Sequence, residues 1–401
     1  MNKILLTIII TTFIAVTGIF FAFKPKLQNN EVVFWTLQMS DFAPYMNEVI
    51  SNFEQENPQI KIKWVDVPFS EGEKRTLASV LSDNPPDLVN LNPDFSSTLA
   101  NKGALWEIDE QHVKQFNPEI INSTRTNGKI YSLPWYATSA ITIYNKKLLS
   151  SVPKTYEQMA DLAPSLRNKN TYITLPNITE NDTMLKILNK YGCSCENLNS
   201  KECIEIFDMF KKLYDNDLIP KETVTMTLQE ALEKYMSGNI ALISAGANFL
   251  SMIKENAPQI YNQTDVAPQL TGSIGQNDFS LMNFVIPLRA KHKEDALKFA
   301  LFLTNEENQL KLAKQTNILA VNKKALNNEF YTKYDKNDLM SKARVISAKQ
   351  LNKLHPTFKT QKNQKEINNL VNNAIQSILL NKDTTENILN NIKKELKIIG
   401  E

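Results

Sequence analysis

An uninterrupted apolar run from Ile4 to Phe23 opens the chain, and a short polar spacer separates it from a different pattern. Val32-Val33-Phe34-Trp35 is β-rich. Phe42, Tyr45, Met46, Val49, Ile50 and Phe53 then recur at helical spacing, and Ile60-Lys61-Ile62-Lys63-Trp64-Val65 returns to β character. Strand (31–37), helix (41–56) and strand (60–66) at this spacing predict a βαβ unit with a parallel strand pair. Ser40 or Asp41 is placed to cap the helix, and Asn57-Pro58 to stop it. A second helix follows, with Leu77, Val80 and Leu81 as its buried stripe. Pro85-Pro86 break it, and Asp87-Leu88-Val89-Asn90-Leu91 reads as a third, buried strand. Two successive βα repeats predict a doubly wound α/β sheet.

Further along, residues 129–149 hold two β-rich runs around Pro134, which suits a bend or crossing point. Pro153-Lys154-Thr155 begins a helical region, and residues 182–191, 201–215 and 227–237 are further helical stretches. Ile240 to Ser244 reads as an apolar strand that delivers Gly246 and Asn248 to a strand end. Residues 280–286 are β-rich, 291–304 and 305–314 helical, and 318–321 a short strand. The tail from about 361 reads as two helices joined near Asn381-Lys382-Asp383.

With 401 residues there is room for two or three domains. Net charge is +2, from 45 basic and 43 acidic side chains, which gives no reason to expect nucleic acid as a partner. Lys3 and the apolar run form an export signal close to the ~20 residues that span a bilayer. No A-x-A-like site follows, so both a cleaved signal peptide and an uncleaved anchor stay open, and no nearby cysteine offers a lipid anchor. Either way residues 31–401 are expected on the far side of the membrane, periplasmic or at the cell surface, with residues 4–23 as the candidate tether to the inner membrane.

The cysteines cluster as Cys193, Cys195 and Cys203. One local disulfide is expected, Cys203 with either partner, and Cys195–Cys203 is the candidate pair. A thiolate metal site would lack a fourth ligand, since His112, His292 and His355 are distant in sequence, so no metal is expected. No nucleophile, metalloprotease or phosphate-binding motif stands in an informative context, and no catalytic residues and no cofactor are expected.

The ordered motifs resemble the family 1 extracellular solute-binding proteins, the sugar-capturing, maltose-binding-protein-like components of ABC importers. They are Val33-Phe34-Trp35, Phe53-Glu54-Gln55-Glu56-Asn57-Pro58, Pro85-Pro86-Asp87-Leu88-Val89 and Gly103-Ala104-Leu105-Trp106-Glu107-Ile108-Asp109. Tyr131-Ser132-Leu133-Pro134-Trp135-Tyr136, Ile143-Tyr144-Asn145-Lys146-Lys147-Leu148-Leu149, Pro153-Lys154-Thr155-Tyr156-Glu157-Gln158-Met159 and Tyr235-Met236-Ser237-Gly238-Asn239-Ile240-Ala241-Leu242 continue the series. The resemblance implies a two-lobed Venus-flytrap fold with a doubly wound sheet in each lobe and a helical C-terminus. One lobe is expected at 31–137 plus 278–318, the other at 138–277 plus 319–401, with residues 1–30 as signal or anchor.

It also implies capture of a mono- or oligosaccharide between the lobes and delivery to ABC permease subunits, by a protein that is monomeric and not an enzyme. Sugars are held by amides and carboxylates that satisfy hydroxyls and by aromatic faces against C–H surfaces. Trp135 and Tyr136 lie beside the expected crossing. Gln38, Asn92, Asp94, Gly246 and Asn248 match the family's strand-end positions, and Asn283 stands where many relatives have small residues. Each has a structural reading too: Trp35, Trp64, Trp106 and Trp135 suit a core or lobe surface, Asn92-Pro93-Asp94 a turn and helix cap, and Gly246 a tight turn. An anionic ligand would call for a base such as Arg125, Lys129 or Arg289, so a neutral saccharide is favoured. A membrane-tethered module for a non-sugar solute or receptor partner, and a glycan hydrolase with two distant carboxylates, are the alternatives.

Overall fold

The computed structural model describes residues 30–351 except 276, and residues 363–400. The apolar run 4–23 lies outside them. Among the described residues no helix is long and apolar enough to cross a membrane.

The first third builds the expected alternation. Strand β1 (Asn30–Leu37) leads through helix α1 (Ala43–Glu56) to β2 (Ile60–Val67), and α2 (Phe69–Val80) leads to β3 (Leu88–Leu91) and α3 (Pro93–Asn101). β1 pairs in parallel with both β2 and β3. Two details differ from the sequence reading. Ser40–Phe42 form a 3-10 turn, so α1 starts at Ala43 and its N-cap position falls on Phe42. Leu81 lies just past the end of α2 and is exposed. A short hairpin, β4 (Arg125–Thr126) and β5 (Lys129–Ile130), follows, and then β6 (Ser132–Thr138). Pro134 is therefore inside a strand, not at a crossing. β6 lies between two partners, and the missing proline N–H coincides with a register irregularity between Met282 and Asn283 of the neighbouring strand.

The chain crosses at Ser139 into β7 (Ala140–Asn145). Helices α4 (Tyr156–Arg167), α5 (Thr183–Asn189), α6 (Lys201–Asp215) and α7 (Leu228–Met236) follow, then β8 (Leu242–Gly246), α8 (Phe249–Asn256) and β9 (Thr264–Ala267). A reciprocal Thr227–Glu230 capping box starts α7. These strands make a separate sheet in the order β8-β7-β9, all antiparallel. That corrects the expectation of a doubly wound sheet here. β7 leaves the crossing while β8 and β9 run back towards it, so their directions must oppose.

Residues 268–279 return the chain to the first sheet as β10 (Ser280–Val285), followed by α9 (Lys293–Leu303), α10 (Glu306–Thr316) and β11 (Leu319–Ala320). The large sheet is mixed, in the order β11-β6-β10-β3-β1-β2. Leu319, Ala320, Ala325, Leu326 and Tyr331, expected in the other lobe, pack into its core. Helix α11 (Leu339–Leu351) then spans both bodies: Ala343 packs under the small sheet, Ala348 and Leu351 under the large one. Finally α12 (Gln364–Leu379) and α13 (Thr385–Gly400) pair and cover α6.

Alternation along β1 explains why the large sheet is covered on both faces. Val32 and Phe34 enter one core, with Phe53, Trp135, Phe284 and Phe299, while Leu37 enters the other, with Val67, Leu91 and Leu99. Phe34 meets Trp135, Phe284 and Phe299 edge-on at 5.5–6.4 Å between ring centroids.

Cys193 pairs with Cys203, not Cys195 with Cys203. Cys193 turns inward after α5 and Cys203 sits in the first turn of α6, both buried in one core, whereas Cys195 is half-buried in the intervening loop. Their Cα separation of 5.8 Å fits a disulfide.

Candidate functional site

Three chain segments cross or bridge between the two sheets, and a buried polar cluster ties them together. Gln350 of α11 donates from Nε2 to Ser139 Oγ at 2.8 Å and to the Ala140 carbonyl at 2.9 Å. Its Oε1 accepts the Gln269 N–H at 2.7 Å. Gln269 in turn accepts the Asp278 N–H at 3.1 Å and donates to the Asp278 carbonyl at 3.1 Å. Lys190, at the end of α5, places its ammonium against Gln269 Oε1 (2.6 Å), the Leu270 carbonyl (2.8 Å) and Asp278 Oδ2 (3.3 Å). Burial lowers the Lys190 pKa, opposed by Asp278.

Beside this junction lies a cavity of about 490 Å³, within the range that encloses a small-molecule ligand. Thr138, Ser139 and Ala140 of the first crossing and Asp278, Phe279 and Ser280 of the second border it. The end of β8, whose Gly246 pairs with Ala140, and the loop 176–182 complete its wall. That loop follows the extended segment 172–175, where Tyr172 bridges in parallel to Ile240, and presents Asn177, Glu180, Asn181 and Asp182. The half-buried rings of Phe249 and Phe279, with Tyr156 and Met159 deeper, supply apolar surface. Burial, aided by Asp278, raises the Tyr156 pKa, so its phenol stays neutral.

Lys186 stands where the two bodies meet. It is one turn before Lys190 on α5, 3.0 Å from Asp182 Oδ2, and donates to Ser280 Oγ of the large sheet at 3.2 Å. Burial opposes its charge, but Asp182, Asp278 and Asp94 together outweigh burial and raise its pKa. Asp94, on α3 of the large body, is thus felt by a lysine that lines the cavity.

Of the residues expected at the site, Gly246 and Asn248 line this cavity. Gly246 is held close: a Cβ there would stand 2.4 Å from Asn248 Oδ1. Gln38, Asn92 and Asp94 sit at the carboxyl edge of the large sheet, the edge from which β6 leaves for the crossing. Gln38 is exposed at φ 49°, fixed by Asp66, which accepts both the Met39 N–H (2.9 Å) and the Thr36 hydroxyl (2.7 Å). Asn92 spends its Oδ1 on the Phe95 N–H at 2.8 Å, capping α3. Tyr136 is half-buried, its hydroxyl 3.8 Å from Met39 Sδ and its pKa pushed up to about 12 by burial.

Trp135 is a core residue. It is fully buried and stacked on Phe284 at 4.6 Å, with the Tyr136 ring edge-on to it at 5.1 Å, and does not line this cavity. Asn283 is equally buried in the large sheet, and neither its Nδ2 nor its Oδ1 has a hydrogen-bond partner among the described residues. The bases considered for an anionic ligand are engaged elsewhere: Arg125 with Glu110, Lys129 with Glu107, Arg289 with Asp83. Residues missed by sequence reading are the loop 176–182, Lys186, Phe249 and Phe279. A polar run, Asn177 to Thr183, directly after a β-rich segment was the available signal for the loop. Among the described residues no group of three His, Cys, Asp or Glu is arranged to hold a metal ion.

The family profile described as bacterial extracellular solute-binding protein matches residues 48–338. The multiple sugar-binding protein of Streptococcus mutans is 24% identical over 302 residues, covering 67% of this chain and 69% of its own. The galactooligosaccharide-binding protein of Bacillus subtilis is 22% identical over 311 residues, 71% of each chain. Among solved structures, a candidate oligosaccharide periplasmic-binding protein from Synechococcus superposes with a TM-score of 0.82 at 26% identity, covering 92% of this chain and 98% of that one. A cyclo/maltodextrin-binding protein complexed with maltotetraose gives 0.78 at 20% identity, covering 94% and 98%.

Proposed function

Since the chain belongs to the bacterial extracellular solute-binding proteins, we propose that it captures a mono- or oligosaccharide outside the cytoplasm and passes it to an ABC-type permease. The ligand occupies the cavity between the small sheet and the crossing segments, and the large body closes over it. The observation that carries this reading is the placement of the cavity. It borders both crossings, so a bound solute touches the hinge and one body at once, while Gln38 and Asp94 line the edge of the other. Hinged closure around a ligand is the motion such an arrangement allows.

The lobes follow the two sheets. One takes 30–138 with 280–331, the other 140–267 with the C-terminal helices, and α11 is shared between them. The binding groups are Asn177, Glu180, Asp182, Lys186 and Asn248, with Phe249 and Phe279 as ring faces. The protein acts as a monomer without cofactor or catalysis, exported under the direction of residues 4–23. Gly246, Gln38 and Asp94 border the ligand; Asn92 serves as a helix cap.

Thermal unfolding of the protein with a panel of sugars, sugar phosphates and peptides tests this. A native-state ligand at a hundredfold excess over its dissociation constant adds about 2.7 kcal/mol of stability. A saturable shift confined to saccharides supports the reading. A shift with a sugar phosphate or peptide alone replaces the ligand class, and no shift with any probe refutes solute capture by this cavity.

A further inference from the structure

The charged groups of the cavity do not balance. Glu180, Asp182 and Asp278 line it, and Lys186 is the sole cationic side chain among its described lining residues. Adding Lys190, which lies behind Asp278, still leaves one carboxylate in excess. Asp182 faces Lys186 and Asp278 faces Lys190, so the surplus falls on Glu180, which forms no ion pair among the described residues.

The hydrogen-bond inventory points the same way. Each carboxylate commits one oxygen to the protein: Glu180 Oε2 accepts from Asn177 Nδ2 (3.1 Å) and the Leu228 N–H (2.9 Å), Asp182 Oδ2 faces Lys186, and Asp278 Oδ2 faces Lys190. The second oxygen of each has no partner among the described residues. The charged donors are nearly exhausted. An ammonium has three protons. Lys190 meets three acceptors, and Lys186 meets two and retains one N–H. The Leu228 contact also fixes the loop, because it anchors Glu180 to the start of α7.

A site with three uncommitted carboxylate oxygens and one remaining ammonium N–H favours a ligand that brings donors, while the amides of Asn181 and Asn248 remain for its hydroxyls. The surplus negative charge of the site favours a cation and repels an anion. We infer that the cavity is built for an amino-bearing saccharide, with Glu180 as the carboxylate that receives the ammonium group. Hydroxyls of the same sugar satisfy the free oxygens of Asp182 and Asp278. This inference rests on the saccharide reading of the cavity and deepens it.

Calorimetric titration of the full-length protein at low salt with four matched probes tests it: a glucosamine tetramer, its N-acetylated counterpart, maltotetraose and a galacturonate tetramer. Charge-assisted hydrogen bonds are roughly twice as strong as neutral ones, so the amine should bind about tenfold or more tighter than its N-acetylated counterpart, and the uronate weakest. In E180Q that ratio should collapse towards one. Because E180Q could disturb the loop, salt provides a second measure: in the unsubstituted protein the ratio should fall as ionic strength rises to about 0.5 M. Equal or tighter binding of the neutral or uronate oligomer overturns the amine assignment and leaves saccharide capture standing. A ratio unmoved by both E180Q and salt also overturns it. Failure of all four to bind overturns the saccharide reading and this inference together.

Discussion

Gln350 and Ser139, 211 positions apart in sequence, share a 2.8 Å hydrogen bond that joins the shared helix α11 to the first crossing. The same Gln350 side chain accepts the Gln269 N–H and donates to the Ala140 carbonyl. Three connections between the two bodies are thereby locked in one polar cluster beside the cavity. Replacing Gln350 by alanine leaves a buried backbone N–H without its acceptor. The expected cost is about 1–3 kcal/mol in urea unfolding. A change under about 0.5 kcal/mol, the usual range for an uninvolved surface position, would show that the cluster is not structural.

Trp135 separates core from site. W135A should destabilise the protein by about 3–5 kcal/mol, because it removes the ring on which Phe284 stacks and leaves a cavity. F249A, at a half-buried cavity wall, should lose less stability and more ligand affinity. Denaturant unfolding combined with maltotetraose or glucosamine-tetramer titration distinguishes the two. A W135A protein of native stability that has lost only binding would return Trp135 to the site.

The disulfide predicts an asymmetry among three neighbouring cysteines. C193S and C203S should each remove the cross-link and cost about 2–3 kcal/mol, the loop-closure value for a bridge of this span. C195S should retain the cross-link. Peptide mapping without reduction reads this directly, and a Cys195–Cys203 cross-linked peptide in the unsubstituted protein would contradict the pairing.

Alkaline stability follows from buried tyrosines. Tyr136 is pushed up to about 12 from the ordinary 10.0, and Tyr45, Tyr235 and Tyr331 are raised too, each chiefly by burial. In the unfolded chain these phenols ionise first, so above that ordinary value the unfolded state binds fewer protons than the folded one. The stability they contribute is complete below the unfolded pKa and is lost as pH rises through the folded values. Y136F should reduce the fall by up to about 1.4 kcal/mol per pH unit between pH values of about 10 and 12. Denaturant midpoints collected across that window check the slope; parallel curves for the two proteins would exclude Tyr136 as a contributor.

Much of the fold was legible because its signals are local. The i, i+3, i+4 spacing of Tyr45, Met46, Val49 and Phe53 requires one helix face to be buried. The β-rich runs on either side, with Pro85-Pro86 and Asn57-Pro58 as stops, leave little choice but parallel pairing of β1 with β2 and β3. Even Asn92 was readable as a cap, since its role depends only on Phe95, three residues on. Motif order across the chain pointed to the family.

Other features depend on distant partners and left no local trace. Pro134 resembles a break until the pairing of β6 with β10 shows the chain running on through it, with Trp135 skipped in the register. Cys193 and Cys195 are equivalent as letters; the inward turn after α5 selects one. Trp135 and Tyr136 are adjacent and their rings meet edge-on, yet Trp135, skipped in the pairing with β10, is fully buried against Phe284 while Tyr136 stays half-buried.

The sequence by itself determined the strands and helices of the first third, the parallel pairing of β1 with β2 and the family, because periodicity, turn chemistry and motif order act over a few residues at a time. The tertiary structure alone decided where the chain crosses, which cysteines join and which polar side chains share a cavity. Those outcomes are set by contacts such as Lys186 with Ser280 and Gln350 with Ser139, between groups that only packing brings within hydrogen-bonding reach.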